Sequence, residues 1–156
     1  MIKFNLLKLI IDFGNSRVKL ALFSKKDLVA TKTIKLFSRK EVIRFCGDNN
    51  ISSSIYSSVR KLNDEEKKLV SSLNCLEINK HTPLPISSIY ESYVGSDRIA
   101  AVVGATFLFP NKDIWVFDAG TCLTADFIDK EKKYHGGRIT LGLKMRYKAL
   151  NDYTCL

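Results

Sequence analysis

Leu9-Ile10-Ile11-Asp12-Phe13-Gly14-Asn15-Ser16 is an apolar run that ends in a carboxylate, a spacer, a glycine and small polar residues, and it leads directly into a second apolar run, Val18 to Phe23. Far downstream the pattern returns: Ile114-Trp115-Val116-Phe117 ends in Asp118-Ala119-Gly120-Thr121 and leads into Leu123 to Ile128. Each copy reads as a buried strand, a tight turn and an antiparallel return strand. An aspartate at a strand end with glycine two residues on lets a turn approach a phosphate through its backbone N–H groups. The carboxylate can then hold a hydrated metal ion, and a hydroxyl can donate to a phosphoryl oxygen. One such turn is common in proteins; two copies in an internal repeat point to two phosphate loops around a nucleotide.

The rest of the chain organises around these copies. Leu28 to Leu36 alternates as a third strand, Ser38-x-x-Glu41 is a capping-box signature for a helix that stops at Gly47, and Ile51 to Val59 is a strand. Asn63-Asp64-Glu65-Glu66 gives an N-cap and three carboxylates in the first turn of a helix ending near Leu73, where the macrodipole favours them. A short strand at Leu76 to Ile78 and a loop through Thr82-Pro83-Leu84-Pro85 follow. Ser96 is read as the cap of a helix over Ile99 to Phe107, and a last helix runs from about Leu143 to Leu150. Three antiparallel strands followed by alternating helix and strand make a mixed-sheet α/β pattern. The expected division is one nearly complete domain over residues 1–110 and, over 111–156, the opening of a second domain of the same type.

Composition narrows the function classes. In 156 residues, 46% hydrophobic and 26% charged, with 3 Pro and 8 Gly, the chain is core-forming. Net charge is +9, and residues 1 to 44 carry 11 basic and 3 acidic side chains, a local +8 that invites an anionic partner. Nucleic acid is a weak candidate: the lysines of Thr31-Lys32-Thr33-Ile34-Lys35-Leu36 fall on a solvated strand face, and no aromatic residues interleave with arginines. Cys46, Cys75, Cys122 and Cys155 are far apart, with only His81 and His135 to help, which argues against structural zinc and for small buried thiols in a reducing compartment. No run has membrane-spanning length and no signal peptide is evident, so a cytoplasmic location is expected.

Two further groups carry chemistry. Lys19, on the return strand, is either a neutraliser of phosphate charge or one more exposed lysine. Gly95-Ser96-Asp97-Arg98 opens a helix with a carboxylate able to accept an alcohol proton and a guanidinium able to grip an anion with two hydrogen bonds. The competing reading is a capped helix with an internal ion pair.

Taken in order, Asp12-Phe13-Gly14-Asn15-Ser16-Arg17-Val18-Lys19, Thr82-Pro83-Leu84-Pro85 before Tyr90, Gly95-x-Asp97-Arg98, Asp118-x-Gly120-Thr121-x-x-Thr124-x-Asp126 and Gly136-Gly137-x-Ile139 resemble type III pantothenate kinase, a family of the actin, Hsp70 and sugar-kinase superfamily. The resemblance implies an actin-like ATPase (ribonuclease H-like) fold and transfer of the ATP γ-phosphoryl group to pantothenate, giving 4′-phosphopantothenate for coenzyme A. It implies that Asp12 to Lys19 form the first ATP loop, with Asp12 organising Mg²⁺ through water, that Thr121 contacts ATP, and that Asp118 holds K⁺ or NH₄⁺. It further implies that Tyr90, Gly95, Ser96, Asp97 and Arg98 bind pantothenate, that Asp97 is the general base, and that the protein is a homodimer with no nucleic-acid or membrane partner. The sequence departs from the family pattern in a shorter stretch between Tyr90 and Gly95, in Leu141 before Gly142, and in stopping part way through the second domain. These departures give the alternative expectation: a catalytically inactive relative that keeps the fold and nucleotide binding.

Overall fold

A computed structural model describes residues 6–79, 81–88 and 94–154. The chain forms two compact units, residues 1–82 and 83–156.

In the first unit, β1 (Leu7–Phe13), β2 (Val18–Ser24) and β3 (Asp27–Ile34) form an antiparallel meander. α1 (Arg39–Cys46), β4 (Ile51–Ser58), α2 (Asp64–Ser72) and β5 (Cys75–Glu77) complete it. The sheet order is β3-β2-β1-β4-β5, with β4 parallel to both β1 and β5. Strict alternation in β1 explains its central place: Leu7, Leu9, Ile11 and Phe13 are buried on one face, where Val42, Cys46 and Val70 of the helices meet them. Phe13 anchors this core at the end of the strand, with its ring edge-to-face on Phe37 at 4.9 Å and on Tyr56 at 5.9 Å. The other face of β1 carries Lys8, Ile10 and Asp12. Register therefore decides that Asp12 leaves the core for the opposite face of the sheet.

The helix starts follow the sequence reading with one exchange. Ser38 accepts the Glu41 N–H, but the Glu41 carboxylate turns to Lys32 (2.8 Å) and Arg44 (3.2 Å), so the expected capping box closes on one side only. The complete box is at α2. Asn63 Oδ1 accepts the Glu66 N–H at 2.9 Å, and the Asn63 N–H donates to Glu66 Oε2 at 3.0 Å. Glu66 is 3% exposed and also receives both ends of the Arg60 guanidinium, at 2.8 and 2.7 Å. That pairing holds the Glu66 carboxyl below its ordinary value of 4.5. A carboxyl lowered by folding stabilises the fold above its unfolded pKa and loses that contribution as pH falls through the folded value. Glu66→Gln is therefore expected to lower the melting temperature at neutral pH and to flatten the loss of stability below about pH 4.5. Thermal melts between neutral and acid pH check this; an unchanged acid slope would contradict it.

The second unit contains β6 (Ser87–Ser88), α3 (Ser96–Leu108), β7 (Ile114–Ala119), β8 (Cys122–Ile128), β9 (Lys133–Leu141) and α4 (Leu143–Tyr153), with sheet order β6-β9-β8-β7. β7, β8 and β9 repeat the antiparallel meander of β1, β2 and β3, and a helix follows in both cases. Val102 of α3 packs with Ile128 and Tyr134, flanked by Ile114 and Val116. This packing places α3 in the compact unit of the second sheet, whereas a division at residue 110 puts it with the first. The face of β7 turned away from α3 carries Trp115 and Phe117, both exposed, with Trp115 also against Phe127.

Candidate active site

The first loop is built by the β1–β2 hairpin. The Gly14 N–H donates to the Arg17 carbonyl at 3.0 Å, so Asn15 and Ser16 form the exposed tip. Phe13 and Val18 are buried on either side of it; they hold the loop from the core, leaving the polar residues between them to meet a ligand. A Cβ at Gly14 would lie 3.1 Å from the Arg17 oxygen, so a side chain there would press on the turn. Asp12 sits across from Lys19 on β2 and Ser57 on β4. Its Oδ2 lies 3.5 Å from Lys19 Nζ, and its Oδ1 accepts the Ser57 hydroxyl at 3.0 Å.

Of the two readings of Lys19, the structure thus gives a cross-strand partner of Asp12, with a side chain 67% exposed. Exposed pairs of this kind contribute little to stability, which leaves the ammonium available to an incoming anion. Ser57 has no local sequence signal; only strand pairing brings it to Asp12. Ser57→Ala removes one hydrogen bond to a carboxylate, about 1.5 kcal/mol. The expected result is a lower melting temperature; thermal melts check it, and an unchanged one would contradict it.

The second loop lies at the β7–β8 turn. Asp118 is the fifth residue of β7, paired in register with Thr124, and Asp118, Gly120 and Thr121 are all exposed. The Gly120 N–H donates to the Cys122 carbonyl at 2.8 Å, and the Gly142 N–H donates to the Thr121 carbonyl at 2.9 Å, tying the start of α4 to this loop. Asp118 shares its sheet face with Thr124 and Asp126, the face on which α3 packs.

At the start of α3 the cap is Gly95 and Ser96 is the first helical residue, buried, which corrects the expected Ser96 cap. The reason lies in Asp97. Its Oδ1 accepts the Arg98 N–H at 2.8 Å, serving one of the open donors of the first turn. A Cβ at position 95 would fall 2.5 Å from that oxygen, so a larger residue there would have to displace the Asp97 carboxylate.

Arg98 does not remain within its own helix. Its Nε–H donates to Asp126 Oδ2 at 2.9 Å and its Nη2 to Asp126 Oδ1 at 2.6 Å, and the Tyr134 hydroxyl donates to the same Oδ1. The ion pair raised as the competing reading therefore exists, but it crosses to β8. Asp126 stands in the sequence motif without a partner assigned to it, and its contacts with Arg98 and Tyr134 are what local reading misses. A carboxylate on the inward alternation of β8, between buried Thr124 and Ile128, is the signal that could have found the first. Tyr90 lies outside the described residues.

Among the described residues no group of three or more His, Cys, Asp or Glu side chains gathers to hold a metal ion. Cys46, Cys75 and Cys122 are free thiols, and burial pushes Cys46 and Cys75 above the ordinary thiol value.

Residues 8–156 match the family described as type III pantothenate kinase. The chain is 41% identical over 152 residues to the type III pantothenate kinase of Phocaeicola vulgatus and 40% identical over 155 residues to that of Bacteroides fragilis. In both cases the match covers 95% of this chain and 63% of the relative. Among solved structures, the ethanolamine utilization protein EutJ from Carboxydothermus hydrogenoformans superposes with a TM-score of 0.53 at 15% identity, covering 94% of this chain and 57% of that one. The Aquifex aeolicus Ppx/GppA phosphatase gives 0.52 at 13% identity, covering 97% and 56%. These likenesses carry the fold, which is the mixed α/β actin-like ATPase fold expected from the two loops. The chain spans 63% of the length of the curated relatives it matches, and with the family's loops in their order on that fold, it belongs to the type III pantothenate kinase family.

Proposed function

We propose that the protein transfers the γ-phosphoryl group of ATP to the primary hydroxyl of pantothenate, the entry reaction to coenzyme A. The observation that carries this reading is the α3 start, where Asp97 and Arg98 stand side by side in a chain of this family. Asp97 accepts the hydroxyl proton as the oxygen attacks the γ-phosphorus. The new O–P bond forms, the bond to the bridging oxygen breaks, and ADP leaves with its electron pair. Positioning and charge stabilisation do most of the work in such transfers. In the first unit Asp12, Gly14, Asn15, Ser16 and Lys19 supply them for ATP, while Phe13 and Val18 hold the loop and exposed Arg17 adds charge. In the second unit Thr121 supplies a hydroxyl to ATP.

The residues fit the expected ions. Asp12 offers one carboxylate, hydrogen-bonded by Ser57, and among the described residues no group of three or more acidic, His or Cys side chains gathers, which suits Mg²⁺ held largely by water and ATP phosphates. Asp118, exposed among loop oxygens, suits K⁺ or NH₄⁺, cations that exchange hydration for oxygen donors. When bound, these ions neutralise phosphate charge. Gly95, Ser96 and Arg98 line the acceptor side, with Arg98 directed at the pantothenate carboxylate.

We assign the basic excess to these anions and not to nucleic acid. Within that excess, Lys32 and Arg44 are paired with Glu41. No described helix is long and apolar enough to cross a membrane. A cytoplasmic homodimer is the assembly we propose. ADP release in the presence of ATP, Mg²⁺, K⁺ and pantothenate tests the reading: release dependent on pantothenate supports it, and none overturns it.

A further inference from the structure

Asp126 is 1% exposed, and an ionised carboxylate at that depth is costly unless fully paired. Three donors meet it: Arg98 Nε, Arg98 Nη2 and the Tyr134 hydroxyl. Stability alone gives little reason for the arrangement, since a buried ion pair is at best about equal to well-packed apolar side chains. Its distinctive effect is geometric. Both carboxylate oxygens lie on one edge of the guanidinium, so the plane of Arg98 is fixed, while Nη1 has no hydrogen-bond partner among the described residues. The carboxylate is itself hemmed in: a Cβ at Gly137 of β9 would lie 2.6 Å from Asp126 Oδ1. Tyr134, 2% exposed and also on β9, holds that oxygen from the same strand.

We propose that Asp126 and Tyr134 are positioning residues for Arg98: they grip one edge of the guanidinium so that the Nη1 edge is presented, already oriented, to the carboxylate of the acceptor substrate. The inference rests on the kinase reading above. It assigns to two residues that cannot reach the acceptor a share of its affinity, because orienting the fork in advance removes the cost of ordering a long side chain on binding.

Steady-state kinetics on the purified protein test it. Asp126→Asn is expected to raise KM for pantothenate about tenfold while kcat and KM for ATP stay within about twofold. Tyr134→Phe, which leaves the ion pair intact, shifts the same constant in the same direction by less. In an Arg98→Lys background, Asp126→Asn adds little, because the fork it positions is gone. Parallel losses for both substrates, full additivity with Arg98→Lys, or an unchanged KM in Tyr134→Phe would overturn the proposal, and the last decides the matter if Asp126→Asn fails to fold. An ¹⁵N NMR measurement separates this failure from failure of the kinase reading. The Arg98 Nε–H signal, identified by its loss in Arg98→Lys, is expected to exchange slowly with solvent in the wild type and fast in Tyr134→Phe or Asp126→Asn. Fast exchange in the wild type overturns the positioning role whether or not pantothenate is turned over.

Discussion

Asp97→Asn is expected to lower kcat for the proposed pantothenate phosphorylation by about 10²- to 10⁴-fold, the range that a positioned general base contributes. The substitution is chosen for what it keeps. The amide oxygen can still accept the Arg98 N–H, the bond that Asp97 Oδ1 makes at 2.8 Å in the first turn of α3, so the helix start and the Gly95 cap persist. What disappears is a group able to take the hydroxyl proton. KM for ATP is expected to stay within about twofold, since nothing in the β1–β2 loop changes. ADP release over a range of ATP concentrations at saturating pantothenate measures both constants. A kcat within tenfold of wild type would remove Asp97 from the base role and leave it as a capping carboxylate.

Gly137→Ala destabilises the second unit by about 3 kcal/mol, at the upper end of what overpacking costs. β9 runs so close to β8 here that a methyl group would lie well inside van der Waals contact with the Ala125 carbonyl and 2.6 Å from Asp126 Oδ1. Neither neighbour is the movable end of a flexible side chain: one is backbone, and the other is held by Arg98 and Tyr134. The strands must part, and the fork of Arg98 loses its support with them. Gly104→Ala is the control. Gly104 is exposed within α3, and a methyl group added there would meet nothing within 4 Å, so alanine raises stability by up to about 1 kcal/mol through helix propensity. Denaturant melts of the two variants should shift in opposite directions; a neutral Gly137→Ala would mean that the strands are not so closely paired.

What the sequence made legible was what local pattern controls. The apolar run over β1 marked the strand, though not its alternation, and the hairpin turns at Gly14 and Gly120 lie where the Asp-x-Gly spacing put them. Helix starts were legible as positions but not always as partners. The Glu41 carboxylate preferred Lys32, nine residues away on β3, to its own cap, and the Asn63 and Glu66 box closed where only a cap was read. β6 was invisible because two serines have no period; they are a strand only through pairing with Lys133 and Tyr134 of β9. Ser57 on Asp12, and Asp126 with Tyr134 on Arg98, were missed for the same reason. Each contact joins residues that only sheet register or helix packing brings together. Family motifs mark which side chains matter, but the edge of Arg98 that remains for a ligand is decided by a carboxylate 28 residues away.

The central claim is the proposed phosphoryl transfer from ATP to pantothenate. The most direct test is to incubate the purified protein with ATP, Mg²⁺, K⁺ and pantothenate and to quantify ADP and phosphorylated pantothenate in the same sample by mass spectrometry. The account predicts equal amounts of the two products, both lost in Asp97→Asn. ATP bound or hydrolysed with no phosphorylated pantothenate would contradict it and identify an inactive relative that keeps the fold.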